Sequence, residues 1–341
     1  MSALPARIDV AIIGGGFAGC ATAWALRAQG IDVVVLERED ELGRYASGRG
    51  AGMGRQLAED DTTTELTVRG AERLRGELAD AWSPTGGILS FDDAAEAERY
   101  AARAERFGIP ATPLARGEVL ARWPEVTGLA IERALLVPSD GLIDTRRLLA
   151  RFSAGATIVL GAGASVVEPG GLGACVRTAR GAVEARVVVD ASGAWAGACT
   201  GDAPLAAVTR NLFLLEAAPP AAAPYLWHLG HDEMYVRSEG GHVLASACDA
   251  TREPATDAQP DPARAKELAA LLARVAPPLA TAMHREQRAC QRSFAPDRRM
   301  RLGRDRDRPW LVWAAALGGH GATASAAVGE RVAAAVIEAL T

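Results

Sequence analysis

The residues with the clearest chemical spacing lie at the start of the chain, in Gly14-Gly-Gly16-Phe-Ala-Gly19, followed by the acid Glu37. In that spacing the first glycine permits a tight turn. The second lets backbone approach a pyrophosphate, and the third lets a helix pack close to a strand. A helix beginning there offers free N–H groups and a partial positive charge to phosphates. Glu37 is placed to accept hydrogen bonds from a ribose hydroxyl and argues against a 2′-phosphate. The pattern predicts one dinucleotide site and leaves FAD and NAD equally open.

The flanking elements suit that site. Ile8–Ile13 is a short apolar strand. Cys20–Gln29 carries helix formers without proline or internal glycine, and a second apolar strand ends at Glu37. The stretch Leu42–Gly54 holds five glycines in thirteen residues and is expected to be a loop laid along the cofactor, with Ser47 and Arg49 facing it. Gly161-Ala-Gly163 looks like a second fingerprint, but it lacks the third glycine and runs into a predicted hairpin. Val183–Asp190 is an apolar strand ending in the turn Ala191-Ser-Gly193-Ala-Trp195, at the strand end where ligands bind in open α/β sheets. Trp310–Ala315, Gly318-Gly-His320-Gly321 and an Ala-rich helix repeat the opening geometry. This last strand is expected beside the first.

Between these parts lie further strands and helices, and from Leu205 onward the character changes to antiparallel β. Strands are expected at 87–91, 135–137, 209–215, 233–237, 242–247 and 285–294. Helices are expected at 62–79, 94–107, 116–122, 145–152 and 263–275. The fold class is α/β: a Rossmann-like domain from 1–79, 151–204 and 291–341, with a discontinuous antiparallel-β cap from 80–150 and 205–290.

Composition narrows the functions. The 341 residues carry a net charge of −5 without a basic cluster, which disfavours nucleic acid. The five cysteines lack CxxC spacing and the five histidines lack metal-ligand spacing, so neither a disulfide framework nor a metal site is expected. No apolar run reaches the length of a membrane span, and the first strand begins too early for a signal peptide. A reducing cytoplasm fits best.

Four motifs together resemble the D-amino acid oxidase superfamily of FAD-dependent amine and amino-acid oxidoreductases. They are the opening fingerprint with Glu37-Arg38, Ser47-Gly-Arg49, Val187-Val-Val-Asp-Ala-Ser-Gly-Ala-Trp195, and Gly318-Gly-His-Gly321. Arg292-Ser-Phe and Ser325–Glu330 are similar to stretches of the bacterial D-arginine-type dehydrogenases.

The resemblance implies FAD held by Gly14, Gly16, Phe17, Ala18, Gly19, Glu37, Arg38, Ser47, Arg49, Ala51, Gly52 and Met53. It adds Val166, Ala191, Gly193, Trp195, Gly318, Gly321, Ala322 and Thr323. It implies a substrate site at Arg292 and Tyr235 for the carboxylate, with Gly319 and His320 beside it and Arg210 a weaker candidate. The activity implied is oxidation of a C–N bond by hydride transfer to flavin N5. The imino acid formed would hydrolyse to a 2-oxo acid and ammonia, and oxygen or a quinone would be the final acceptor.

D-arginine-type members carry an acid where this chain has Gly87 and an aromatic near Ala58, so an uncharged substrate is expected instead. Cys290 stands where sarcosine-oxidase-type members attach FAD covalently. A glycine/sarcosine-type oxidase with covalent FAD, a flavin-binding subunit without independent turnover, and an NAD-linked dehydrogenase are the alternative readings. Oligomeric state is open.

Overall fold

A computed structural model describes residues 3–201 and 204–341; Met1, Ser2 and the 202–203 pair at the expected 204/205 domain boundary lie outside the described residues.

The apolar strand Arg7–Ile13 enters the centre of an eight-stranded sheet. It pairs in parallel with Val33–Leu36 on one side and Gly181–Asp190 on the other. These strands are buried on both faces, which explains their unbroken Val and Ile runs. Thr157–Val159 extends one edge in parallel. Leu311–Ala315 pairs with Gly181–Asp190, two strands from the first strand. The expectation that the C-terminal strand adjoins the first is therefore corrected: both edges of Arg7–Ile13 are already taken.

What does adjoin the opening unit is the last helix. Gly321–Leu340 packs on Phe17–Arg27, and a Cβ on Gly329 would stand 2.4 Å from the Ala21 carbonyl oxygen. It also packs on Asp61–Arg75, where a Cβ on Gly70 would meet the Thr323 carbonyl oxygen at 2.0 Å. Small residues thus bring three helices close enough to cover the sheet.

The second sheet has nine strands and lies over the carboxyl ends of the parallel strands. Its longest pairing joins Ala206–Leu215 to His284–Phe294, antiparallel. Met234–Glu239 and His242–Ser246 form a hairpin through Gly240-Gly241. The sheet is mixed rather than wholly antiparallel, because Tyr225–Leu229 runs parallel to Gly87–Phe91.

The glycine-rich stretch 42–54 is more ordered than a loop: Ala46–Arg49 forms one helical turn and Met53–Gly54 pairs with Gly141–Ile143. Tertiary contacts there outweigh the glycine penalty, which is of the order of 1 kcal/mol per residue. The polar segment 250–262 contains a three-residue strand, Thr251–Glu253, fixed by its pairing with Ala207–Thr209. The turn Gly161–Gly163 does lead into a hairpin, Ala164–Pro169 with Ala174–Thr178.

Candidate active site

A cavity of about 400 Å³ begins at the glycine turn and is lined at its far end by residues of the second sheet. At the near end Gly14 takes φ +103°, a conformation that excludes most side chains, and a Cβ there would stand 2.6 Å from the Ala191 carbonyl oxygen. Gly19 does not face the cavity; a Cβ on it would stand 1.9 Å from the Gly14 carbonyl oxygen. It is needed for helix-to-strand packing instead.

Two side chains stabilise this turn. Glu37 Oε2 accepts from the Gly15 amide at 2.6 Å, and Oε1 accepts from the Glu39 amide at 2.9 Å. Glu37 therefore fixes the turn while still lining the cavity, and each carboxylate oxygen retains acceptor capacity. Ser47 Oγ accepts from the Phe17 amide at 2.9 Å, which makes it a cap from 30 residues away for the first helix. A Cβ on Gly16 would stand 3.0 Å from that oxygen, so the backbone here is open to a close-lying group.

Arg38, Tyr45 and Trp195 form one side wall. The Arg38 guanidinium lies 4.3 Å from the Trp195 ring centroid and donates to Tyr45 Oη at 2.7 Å. Arg49 pairs with Asp257 at 2.7 Å and donates to the Ala258 carbonyl. It tethers the glycine-rich turn to the second sheet's loop. Ala51, Gly52 and Met53 line the floor, and Thr323 donates to the Met53 carbonyl at 3.3 Å.

Ala191 and Gly193 line the same wall, in a turn held by buried Asp190, which accepts from the Ser192 and Gly197 amides and from Thr200. Val166 is a correction: its side chain is 45% exposed and outside the cavity, whose edge is formed instead by Gly163, Ala164 and Ser165. A register irregularity in the hairpin pairing between Ala164 and Val166 leaves Val166 on the exposed side.

Phe17, Ala18, Gly318, Gly321 and Ala322 complete the lining at the two helix N-termini. The last helix has twenty residues and no side-chain cap on its first amides, so its positive end faces the cavity. These features fit FAD: a cradle open only to small backbone, two helix N-termini, and an acid at the end of the second strand. Bound there, FAD would be held by the turn 14–18, Glu37, Ser47 and the backbone around 318–322.

At the far end the chemistry changes. Arg292 lines the cavity, its Nε is buried without a partner, and among the described residues no carboxylate pairs with it. Burial and then the neighbouring Arg210 cation hold its pKa below the ordinary guanidinium value. Arg210 donates to the carbonyls of Cys248 at 2.8 Å and Asp249 at 3.1 Å, so neither bond neutralises its charge. Tyr235 is buried beside both; burial pushes its hydroxyl pKa up and keeps it a protonated donor. Gly319 lies next to this pair: a Cβ there would stand 3.8 Å from Arg292 Nη1.

Sequence reasoning missed Arg55, which is only 3% exposed. Its guanidinium stacks on Trp227 with 4.2 Å to the ring centroid and pairs with Glu59 at 2.6 Å. His320 Nε2 lies 2.8 Å from Glu59 Oε2 and 3.2 Å from Arg55 Nη2. Burial opposes the Arg55 charge, but Glu59 more than offsets it and the pKa stays above the usual value. The Glu59 side chain is largely exposed along its stem, but its carboxylate end is partly desolvated against Arg55. That desolvation opposes the charge, Arg55 and then His320 prevail, and the carboxyl is held well below its usual range. Trp227 was missed with it, on the strand Tyr225–Leu229. The run Tyr-Leu-Trp-His-Leu between Pro224 and Gly230 carries a readable strand signal.

Neither residue behind the uncharged-substrate expectation reaches the cavity. Ala58 is fully buried elsewhere, and a Cβ on Gly87 would stand 2.2 Å from the Tyr225 ring. Cys290 does line the cavity, buried, with its thiol pKa raised by burial.

A parallel strand core with a glycine turn, capped by a second sheet that closes a cavity over it, is the architecture of a dinucleotide-binding protein. The sequence matches the DAO family of FAD dependent oxidoreductases over residues 9–335, and the chain belongs to that family. Its cofactor is FAD. Glycine oxidase from Geobacillus kaustophilus superposes with a TM-score of 0.85 at 25% identity, covering 98% of this chain and 95% of that one. L-proline dehydrogenase from P. horikoshii superposes at 0.86 with 21% identity, covering 97% and 93%, and shows the shared fold. Mitochondrial sarcosine dehydrogenase of Mus musculus is 26% identical over 216 residues, 57% of this chain but 23% of that protein. The match thus spans about a quarter of that relative's length. Among the described residues no helix is long and apolar enough to cross a membrane, and no group of side chains could hold a metal ion.

Proposed function

We propose that this chain oxidises the C–N bond of an amine that carries a carboxylate, an amino acid or N-alkyl amino acid. The observation that carries the reading is Arg292: a buried, unpaired guanidinium beside a protonated tyrosine, in the same cavity as the dinucleotide turn. FAD, when bound, supplies the acceptor for the two electrons and hydrogen released as the C–N bond becomes an imine.

The chain's own part is binding and orientation. Arg292 and the Tyr235 hydroxyl hold the carboxylate; a guanidinium fork suits it bidentately. Gly319 leaves room beside Arg292 for the substrate backbone, and His320, held by Glu59, borders the same space. The amine loses a proton as it is oxidised, and water then adds to the imine to give a 2-oxo acid and ammonia or an alkylamine. Fixing the reacting C–H against the cofactor lowers the barrier by proximity and orientation, while the cofactor supplies the redox chemistry. Oxygen or a quinone would restore the oxidised cofactor, and the reaction would run in the cytoplasm. Organisation into a cofactor domain and a discontinuous cap, with the substrate entering between them, is part of this reading.

Anaerobic addition of amino acids and N-methyl amino acids to the yellow holoprotein tests it. Bleaching of the flavin bands by at least one carboxylated amine is expected; a protein that no such amine bleaches would favour the non-catalytic subunit. A second reading is the glycine/sarcosine type with covalent FAD, favoured by Cys290 at the cavity wall. Flavin remaining with acid-precipitated protein supports it, and complete release excludes it.

A further inference from the structure

We propose that the substrate of this site is an amino dicarboxylate, with its first carboxylate on Arg292 and a second acidic group on Arg55. The proposal rests on the carboxylated-amine reading above and names the substrate class within it.

Three arginines, Arg55, Arg210 and Arg292, line the far end of the cavity, and of these, among the described residues, only Arg55 pairs with an acid, Glu59. The Glu59 side chain is itself 58% exposed, so it neutralises Arg55 from the solvent side. Arg55 Nε and Nη1 are buried without any partner, as is Arg292 Nε. Leaving several cationic donors buried and unsatisfied is costly, and an anion entering the cavity would relieve that cost.

The two centres are separate. Arg55 stacks on Trp227, Trp227 packs on Tyr235 with ring centroids 5.4 Å apart, and Tyr235 adjoins Arg210 and Arg292. Two aromatic rings therefore line the cavity from Arg55 at one end to the Arg210 and Arg292 pair at the other. A single carboxylate satisfies one end only. A basic side chain would meet Arg55 with like charge, and an uncharged one would leave its donors unpaired.

The test is binding first, turnover second. Spectral titration of the oxidised holoprotein with succinate and glutarate, against butyrate and valerate of equal length, reads affinity without chemistry. The diacids are expected to bind at least ~10-fold more tightly, the scale of one charge-assisted hydrogen bond. R55M should bring the ratio toward one. E59Q, which leaves the Arg55 cation uncompensated, should tighten the diacids further. R292M should weaken mono- and diacids alike. Anaerobic flavin reduction by aspartate, glutamate and iminodiacetate, against asparagine and glutamine, should follow the same order.

Equal affinity for diacids and monoacids in the wild type overturns the proposal, as does a preference that survives in R55M. Should R55M fail to fold, E59Q decides by its sign: unchanged or weaker diacid binding overturns the proposal. A diacid preference without reduction by any amine would retain the anion site and reject the oxidase reading. Reduction by amides equal to that by diacids would do the reverse.

Discussion

The two ends of the cavity are built on opposite principles. The near end is made of backbone: glycines, helix N-termini and turn amides, with side chains such as Glu37 and Ser47 used to stabilise the backbone itself. The far end is made of side chains: Arg210, Arg292 and two aromatic rings projecting from the second sheet, and Arg55 from the segment just after Met53–Gly54. The first can bind the same large cofactor in any relative of the fold, because its donors follow from chain geometry. The second can be changed one side chain at a time without disturbing the turn, and in the proposed reading this is where substrate choice resides.

The largest effect should come from the near end. Gly19→Val would drive its side chain into the Gly14 carbonyl oxygen, where even a Cβ would come within 1.9 Å. Overpacking of this kind costs roughly 3 kcal/mol or more. We expect a protein purified without yellow colour and unable to take up FAD from solution, as absorbance of the purified protein would show.

At the far end, R292M should leave FAD bound and remove the carboxylate anchor. The expected loss is roughly 100-fold or more in kcat/KM for carboxylated amines, with the visible spectrum of the oxidised form retained. Equal loss of FAD in both variants would dissolve the distinction between the two ends.

Asp140 tests the scaffold behind the arginine. It is fully buried, accepts from the Gln56 amide at 3.0 Å and from Tyr225 Oη at 2.5 Å, and burial raises its pKa to about 6 from 3.8. Because the folded value lies above the unfolded one, its contribution is most favourable below 3.8 and is lost as pH rises through 6. Relative to D140N, the wild type should therefore lose on the order of 3 kcal/mol between acid and neutral pH. Denaturation across that range measures the difference in slope.

Ser47→Ala should cost ~1 kcal/mol, the usual value of a lost helix cap, seen as a lower denaturation midpoint. A comparable effect is expected from Cys290→Ser. The thiol is buried and has no ion pair, so stability should fall by only ~1 kcal/mol and the flavin should remain bound. Flavin that becomes acid-extractable only in this variant would establish the covalent link.

The same contrast explains what could be read from the chain. The opening strand, turn and helix are consecutive, so propensity and spacing sufficed. The helical turn Ala46–Arg49 was not legible, since it is stabilised by contacts with distant Asp257 and Phe17 rather than by its glycine-rich composition. The place of Leu311–Ala315 beside Gly181–Asp190 depends on which sheet edges are free, and no local pattern records that. Arg292 was visible through its motif. Arg55 was not, because its meaning comes from Trp227, His320 and Glu59, brought together from three separate parts of the chain.

The most direct test of the central claim is an anaerobic titration of the holoprotein with carboxylated amines, run beside R292M and followed at the flavin bands. The account predicts stoichiometric bleaching of the wild type by at least one such amine. It predicts little or none in R292M at the same concentration. Bleaching that is equally complete in R292M, or none in either protein, would contradict it.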